Sequence, residues 1–158
     1  MAQQVLIRPY RDEDQAAFKA LNLAWITQHF SVEPFDLSQL DHPNREIITT
    51  GGAIFVAQLS DQTVGTIGLV PHGPPDRMEL IKMAVSADQQ GRGIGRKLLQ
   101  AAKTHARQCG VRTLWLETNT KLGAALRLYR ASGFRDVPSE EFEATPYARC
   151  DVQMICDL

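Results

Sequence analysis

Three glycines, Gly91, Gly93 and Gly95, fall within five positions of the stretch "DQQGRGIGRKLLQAAK", which continues as an amphipathic helical pattern. Glycine inside a helix costs about 1 kcal/mol relative to alanine, so the cluster needs a backbone reason. A glycine-rich turn between a strand and a helix exposes backbone N–H groups. The helix N-terminus adds the positive end of its dipole, and the two together suit an anion, phosphate above all. Two common phosphate-binding spacings fail here. In G-x-x-x-x-G-K-[ST] the lysine must follow a glycine, whereas Lys97 stands between Arg96 and Leu98. In G-x-G-x-x-G the last glycine would fall on Arg96 or on Leu98. The spacing that is present is Q-x-x-G-x-G, from Gln90 through Gly91, Arg92, Gly93 and Ile94 to Gly95. Arg92, Arg96 and Lys97 either add charge to an anion site or form a solvated helix face.

A second candidate is Glu79, inside the apolar run "RMELIKMAV". Strict alternation places it on one strand face with Ile81, Met83 and Val85. A carboxyl group among apolar side chains has its pKa raised, which brings it toward general-base behaviour near neutral pH. The alternative is a surface glutamate paired with Arg77 or Lys82, and a bulge in the strand would change its face. No cysteine (Cys109, Cys150, Cys156) has a histidine or acid at a recognisable catalytic spacing, so nucleophilic thiol chemistry is not expected. His29, His42, His72 and His105 show no metal-ligand spacing, and no metal is expected.

These residues need elements to position them. Strands are expected at Val5–Tyr10, Ala53–Leu59, Thr63–Val70, Arg77–Val85 and Arg112–Thr118, with "YARCDVQMICDL" as the last. "SDQ" turns the second strand into the third. Helical spacing runs through Ala17, Phe18, Leu21, Ala24 and Trp25, and the polar "SVEPFDLSQLDHPN" reads as a loop with one short helix. The helix after the glycines shows one face of Ile94, Leu98, Ala101 or Ala102, Ala106 and Cys109, with Gly110 suited to its C′ position. "KLGAALRLYRAS" is a helix carrying Leu122, Leu126 and Tyr129, ended by Gly133. The order implies mixed α/β architecture around one strand–helix–strand unit.

The 158 residues fit a single domain, residues 1–158, large enough for a real core. A net charge of -1 gives no reason to expect nucleic acid or an anionic membrane as partner. No apolar run approaches the roughly 20 residues of a membrane helix. "MAQQVLIRPYRDED" does not read as a signal peptide, and three cysteines without C-x-x-C spacing read as reduced thiols of a cytoplasmic protein.

The Q-x-x-G-x-G element resembles the acetyl-coenzyme A signature of the GNAT superfamily of N-acetyltransferases. Its flanks agree. "ELIKMAV" resembles the family's fourth strand, and "LRLYRASGF" matches its L-Y-x-x-x-G-F element. The likeness runs from "IRPYRDED" to "PYARCDVQM" and is strongest from Glu79 to Phe134. The resemblance implies a central twisted mixed β-sheet of six to seven strands with four helices, splayed between the fourth and fifth strands to admit the cofactor. It implies direct transfer of an acetyl group from acetyl-CoA to an amine, of a small molecule or of a protein or peptide. Glu79 matches the position of some members' general base, acting directly or through water. Tyr129 would protonate the departing coenzyme A thiolate. Backbone N–H groups of Met83, Ala84 and Val85 would hold the thioester carbonyl, and Gln90 to Arg96 the pyrophosphate.

Many members carry an asparagine seven residues before the tyrosine, where this chain has Leu122. Asn119 either takes its place at the cofactor or caps the helix. Acceptor specificity is expected in Trp25–Asp41 and in "PHGPPDR", with Trp25, His29, Phe30, Glu33 and Phe35 either rimming the cleft or serving as core. Dimers are frequent in the family, and the alternating C-terminal strand offers an edge for a homodimer. The competing reading is an acyl-CoA sensor that binds without turnover.

Overall fold

The β2–β3 hairpin and the β4–α3–β5 crossover generate the centre of the sheet. β2 (Ala53–Leu59) and β3 (Gln62–Pro71) are joined through Ser60 and Asp61, with Leu59 opposite Gln62. A two-residue turn of this kind needs a left-handed residue, which Ser60 supplies at φ +54°. β4 (Arg77–Val85) lies antiparallel to β3, and β5 (Thr113–Thr118) parallel to β4, with α3 (Ile94–Gln108) as the crossover that parallel neighbours require. β1 (Val5–Pro9) closes one edge, and β6 (Arg135–Asp136), paired with β7 (Val152–Asp157), the other, giving a seven-stranded sheet in the order β1-β2-β3-β4-β5-β7-β6. The structure is a computed structural model that describes residues 4–158; residues 1–3, the start of the segment examined for a signal peptide, lie outside it.

Alternation along the strands sends side chains to two cores. In β2, Ala57 and Leu59 join the cluster under α3, whereas Ile54 joins the cluster under α1 (Gln15–His29) and α2 (Pro34–Asp41). α3 buries Ile94, Leu98, Leu99, Ala102 and Ala106, so Ala102 rather than Ala101 faces inward. Each large apolar side chain buried this way contributes roughly 1.5–3 kcal/mol. Cys109 is exposed rather than on that face, because α3 ends at Gln108 and the chain turns away. Gly110 at φ +77° closes the helix: its amide donates to the Arg107 carbonyl (3.0 Å) and that of Val111 to Ala106 (2.9 Å).

Two sequence expectations change at the C-terminus. The last strand, β7, begins at Val152 rather than at Tyr147. Tyr147 to Asp151 instead bend over the end of β5, where the Asp151 amide donates to the Thr118 carbonyl (3.0 Å). β7 is also not an edge for a second copy: it pairs with β5 along its length and with β6 at Met154 and Ile155. Likewise α4 spans Gly123–Ala131, with Leu122 as its N-cap rather than inside it.

Candidate active site

The ladder between β4 and β5 holds only three rungs, Arg77–Thr113, Met78–Leu114 and Glu79–Trp115. Beyond Glu79 the two strands diverge, and a cleft opens between Leu80–Met83 and Leu116–Asn119. α1 walls it with Asn22, Trp25 and Ile26, α4 with Tyr129, and the bend before β7 with Tyr147, Arg149 and Cys150. Of the residues expected from sequence, Glu79, Met83, Asn119 and Tyr129 line this cleft. Val85 and Gln90 line a neighbouring hollow against α1, and Gly91 to Arg96 stand outside both, at the start of α3. Ala84 is buried in the strand.

Glu79 sits on the last rung before the divergence. Burial, reinforced by the charge of Glu117, pushes its carboxyl group up to about 8. The expected face, however, does not persist. Thr66 pairs with Ala84 but Gly68 with Ile81, so β4 carries one extra residue. The bulge is at Lys82, whose φ is +51°. Ile81 therefore packs with the α1–α2 core, while Met83 and Val85 pack with Leu80 against the α3 core. The bulge turns Lys82 toward Asp36 Oδ1 (2.9 Å) and the Tyr147 hydroxyl (3.1 Å).

Tyr129 is held by the end of its own helix. Gly133, at φ +95°, lets the Phe134 amide reach the Tyr129 carbonyl (3.0 Å) and its own amide reach Arg130 (3.1 Å). This double closure sets the Phe134 ring against that of Tyr129, centroids 5.8 Å apart. The L-Y-x-x-x-G-F element is thus a helix stop that fixes a tyrosine at the cleft wall. Burial raises the Tyr129 pKa well above the ordinary phenol range, so its hydroxyl stays protonated near neutral pH.

The glycine cluster divides into two uses. Gly91 and Gly93 adopt φ +80° and +79°, and a Cβ on either would meet nothing within 4 Å. They shape an open backbone turn at the N-terminus of α3, where amides lack helical partners. Gly95 serves packing: a Cβ there would come within 3.2 Å of Leu128 Cδ2 on α4. An open turn of unpaired donors with exposed Arg92 and Arg96 beside it fits a diphosphate.

Asn119 is engaged locally on both sides of its amide. Its Nδ2 donates to the Arg149 carbonyl (2.6 Å), and its Oδ1 accepts from the Lys121 amide (2.8 Å). It thereby pins the β5–α4 turn to the bend before β7 while still lining the cleft. Trp25 and Phe30 do both things asked of them: each packs against the α1–α2 core and each borders the cleft.

Sequence reasoning missed the rest of the cleft's charge. Glu117 shares it, and burial raises its carboxyl pKa; no donor among the described residues reaches its buried Oε1. The alternation of "LWLET" could have flagged it, with Glu117 opposite in face to Leu114 and Leu116. Asp36, fully buried on α2, accepts from both terminal guanidinium nitrogens of Arg149, Nη1 and Nη2 (2.8 and 2.7 Å), and from Lys82. Burial alone would raise Asp36, but the Arg149 hydrogen bonds and the Lys82 charge hold it at about 2. Glu33 adds a further contact to Arg149 (3.2 Å). Cys150 borders the cleft as well, yet burial pushes its thiol up to about 12, which leaves it protonated.

Comparison with known proteins places this geometry. Residues 15–134 match the family model described as Acetyltransferase (GNAT) family. The chain is 35% identical over 89 residues to N-acetyltransferase 8B of Rattus norvegicus, a match covering 54% of this chain and 40% of the rat protein. It is 31% identical over 110 residues to the uncharacterized N-acetyltransferase YjgM of Escherichia coli (strain K12), covering 68% of this chain and 65% of that one. The chain therefore spans less than two thirds of the length of either relative. The crystal structure of a GNAT-family acetyltransferase from Staphylococcus aureus Mu50 superimposes with a TM-score of 0.88. That match covers 98% of this chain and 99% of the other at 19% identity, so it speaks to the fold.

Proposed function

The chain belongs to the GNAT acetyltransferase family, and on that premise we propose that it acetylates a primary amine from acetyl-CoA by direct attack in a ternary complex. One observation carries the reading: a carboxyl group buried on the last rung of a sheet that opens beside a protonated tyrosine. We read residues 1–158 as one acetyltransferase domain, since every described strand joins one sheet.

The backbone amides from Gln90 to Arg96 would hold the diphosphate of acetyl-CoA, and the Met83–Val85 edge, unpaired on the β5 side, its acyl end. Asn119 contributes at the cleft by fixing the β5–α4 turn. When bound, acetyl-CoA supplies an activated acyl group open to attack by a neutral amine.

Glu79 takes the proton from the acceptor ammonium at a carboxylate oxygen, directly or through water. An aliphatic ammonium titrates near 10.4, so a base at about 8 is far better matched than an ordinary glutamate. Glu117 lines the same cleft, and its charge adds to the burial that raises Glu79. Tyr129 donates a hydrogen bond from its hydroxyl toward the leaving sulfur. Because a phenol with raised pKa is a weaker acid than a thiol, that hydrogen bond stabilises growing charge before any proton moves.

The acceptor is a small-molecule amine or a protein or peptide amine. Incubation with acetyl-CoA and a panel of spermidine, free amino acids and alanine-initiated peptides, reading released thiol, tests the reading. Amine-dependent thiol release is expected. Binding of acetyl-CoA without release on any amine would replace the enzyme with an acyl-CoA sensor.

A further inference from the structure

Glu79 stands at the inner end of a file of side chains whose exposure rises outward. His72, on the turn between β3 and β4, places Nδ1 3.6 Å from Glu79 Oε1 and Nε2 3.7 Å from Glu143 Oε1. Side-chain exposure rises outward, 13% for Glu79, 30% for His72 and 41% for Glu143.

Each member is held in place. The His72 ring lies flat on Trp115, centroids 4.4 Å apart and planes within 7°. Its carbonyl accepts from Arg77 Nε (2.9 Å). Glu143 is fixed by Arg77 Nη2 (2.8 Å) and by Gln153, whose side chain accepts from the Glu143 amide (2.8 Å) and donates to its carbonyl (2.7 Å). A loop histidine with no structural task would not need a stacked ring with both nitrogens facing carboxylates.

We propose that His72 is the proton relay of this site, carrying the proton that Glu79 takes from the acceptor outward to Glu143 and to solvent. The inference rests on the reading of Glu79 as the base. A proton left on a buried carboxyl group would block the next turnover, so it needs an exit. The Glu79 O–H bond breaks as the Nδ1–H bond of His72 forms. The imidazolium then loses its Nε2 proton to the Glu143 carboxylate, which passes it to water. Once Glu79 has taken the next proton, exchange with water returns His72 to its Nε2–H tautomer, and no electrons are transferred. Both gaps exceed a hydrogen bond by about half an ångström, a distance covered by side-chain rotation.

The groups facing His72 are Glu79 and Arg77 from β4 and Glu143 from the segment before β7; Trp115 of β5 brings no charge. Burial and then the charge of Arg77 lower the His72 pKa, against the pull of Glu143. The ring is therefore neutral near pH 7 and free to accept.

Two measurements decide the matter. In nitrogen NMR of the free protein, the His72 ring should show a second inflection near pH 8, where Glu79 ionises and the tautomer preference reverses. Glu79→Gln should abolish that inflection. A single-step His72 titration, unchanged by Glu79→Gln, overturns the proposal without needing any acceptor. In turnover, His72→Phe keeps the stacked ring but no nitrogen, and should slow the reaction about tenfold or more. His72→Ala should be slowed similarly and regain rate with added imidazole. Full rate in His72→Phe, or no response to imidazole, refutes the relay; absence of turnover in the wild-type protein on every amine refutes the acetyltransferase reading instead.

Discussion

The Phe134 amide donates to the Tyr129 carbonyl at 3.0 Å while the two rings tilt together at 5.8 Å, so a helix stop and a cleft wall are one device. Gly133→Val therefore acts on both. A β-branched residue at φ +95° costs roughly 1–2 kcal/mol, and thermal melting should show a drop of several degrees. Turnover should fall with it, because Tyr129 loses its fixed position.

Tyr129→Phe removes the hydroxyl and nothing else. Turnover is expected to fall about 10²-fold with acetyl-CoA affinity nearly unchanged. Steady-state kinetics beside calorimetric binding of acetyl-CoA reads the two separately. Wild-type rate in this variant would remove Tyr129 from the chemistry.

Gly93→Leu should abolish coenzyme A binding. The glycine has φ +79° and open space around its would-be Cβ, so a side chain strains the turn and fills the place proposed for the diphosphate. Calorimetric titration with coenzyme A should show no heat, while circular dichroism remains native.

Glu79 carries a pH signature in rate and in stability. As a base it must be ionised, so kcat/KM should rise with pH to a plateau above about pH 8. Its folded pKa lies above the unfolded value of 4.5. The native state thus holds the extra proton, and stability is lost as pH rises from 4.5 through about 8. Glu79→Gln should melt higher than the wild-type protein at pH 8.5 and much like it at pH 4, while its turnover collapses.

Asp36 has the opposite sign. Held at about 2 by Arg149 and Lys82, it contributes stability above the unfolded value of 3.8 that is lost as pH falls toward 2. Asp36→Ala leaves the partly buried Lys82 and Arg149 without their shared partner and should cost about 3–5 kcal/mol in denaturant unfolding at pH 7. A loss under 1 kcal/mol would show that Glu33 and water suffice.

Local pattern and spacing were enough to find the backbone of this site. The strand limits of β2 and β4 and the end of α3 at Gln108 follow from alternation, helical period and Gly110, which act over a few neighbouring residues. The glycine turn and Glu79 stand out for the same local reason, a cluster of glycines before a helix and an acid inside an apolar strand, whereas Tyr129 was marked by the family resemblance. The convergence of distant segments was not. The bulge at Lys82 splits the face of β4 and brings its ammonium group to Asp36 and Tyr147, both remote in the chain. Glu117, Arg149 and His72 show no motif; they matter only because β5, the bend before β7 and the β3–β4 turn meet at the rung where the sheet divides. Amino-acid order determined which elements form and which of them carry the glycine turn, Glu79 and Tyr129. The tertiary structure decided which charges face one another, since burial and charge pairing act across space rather than along the chain.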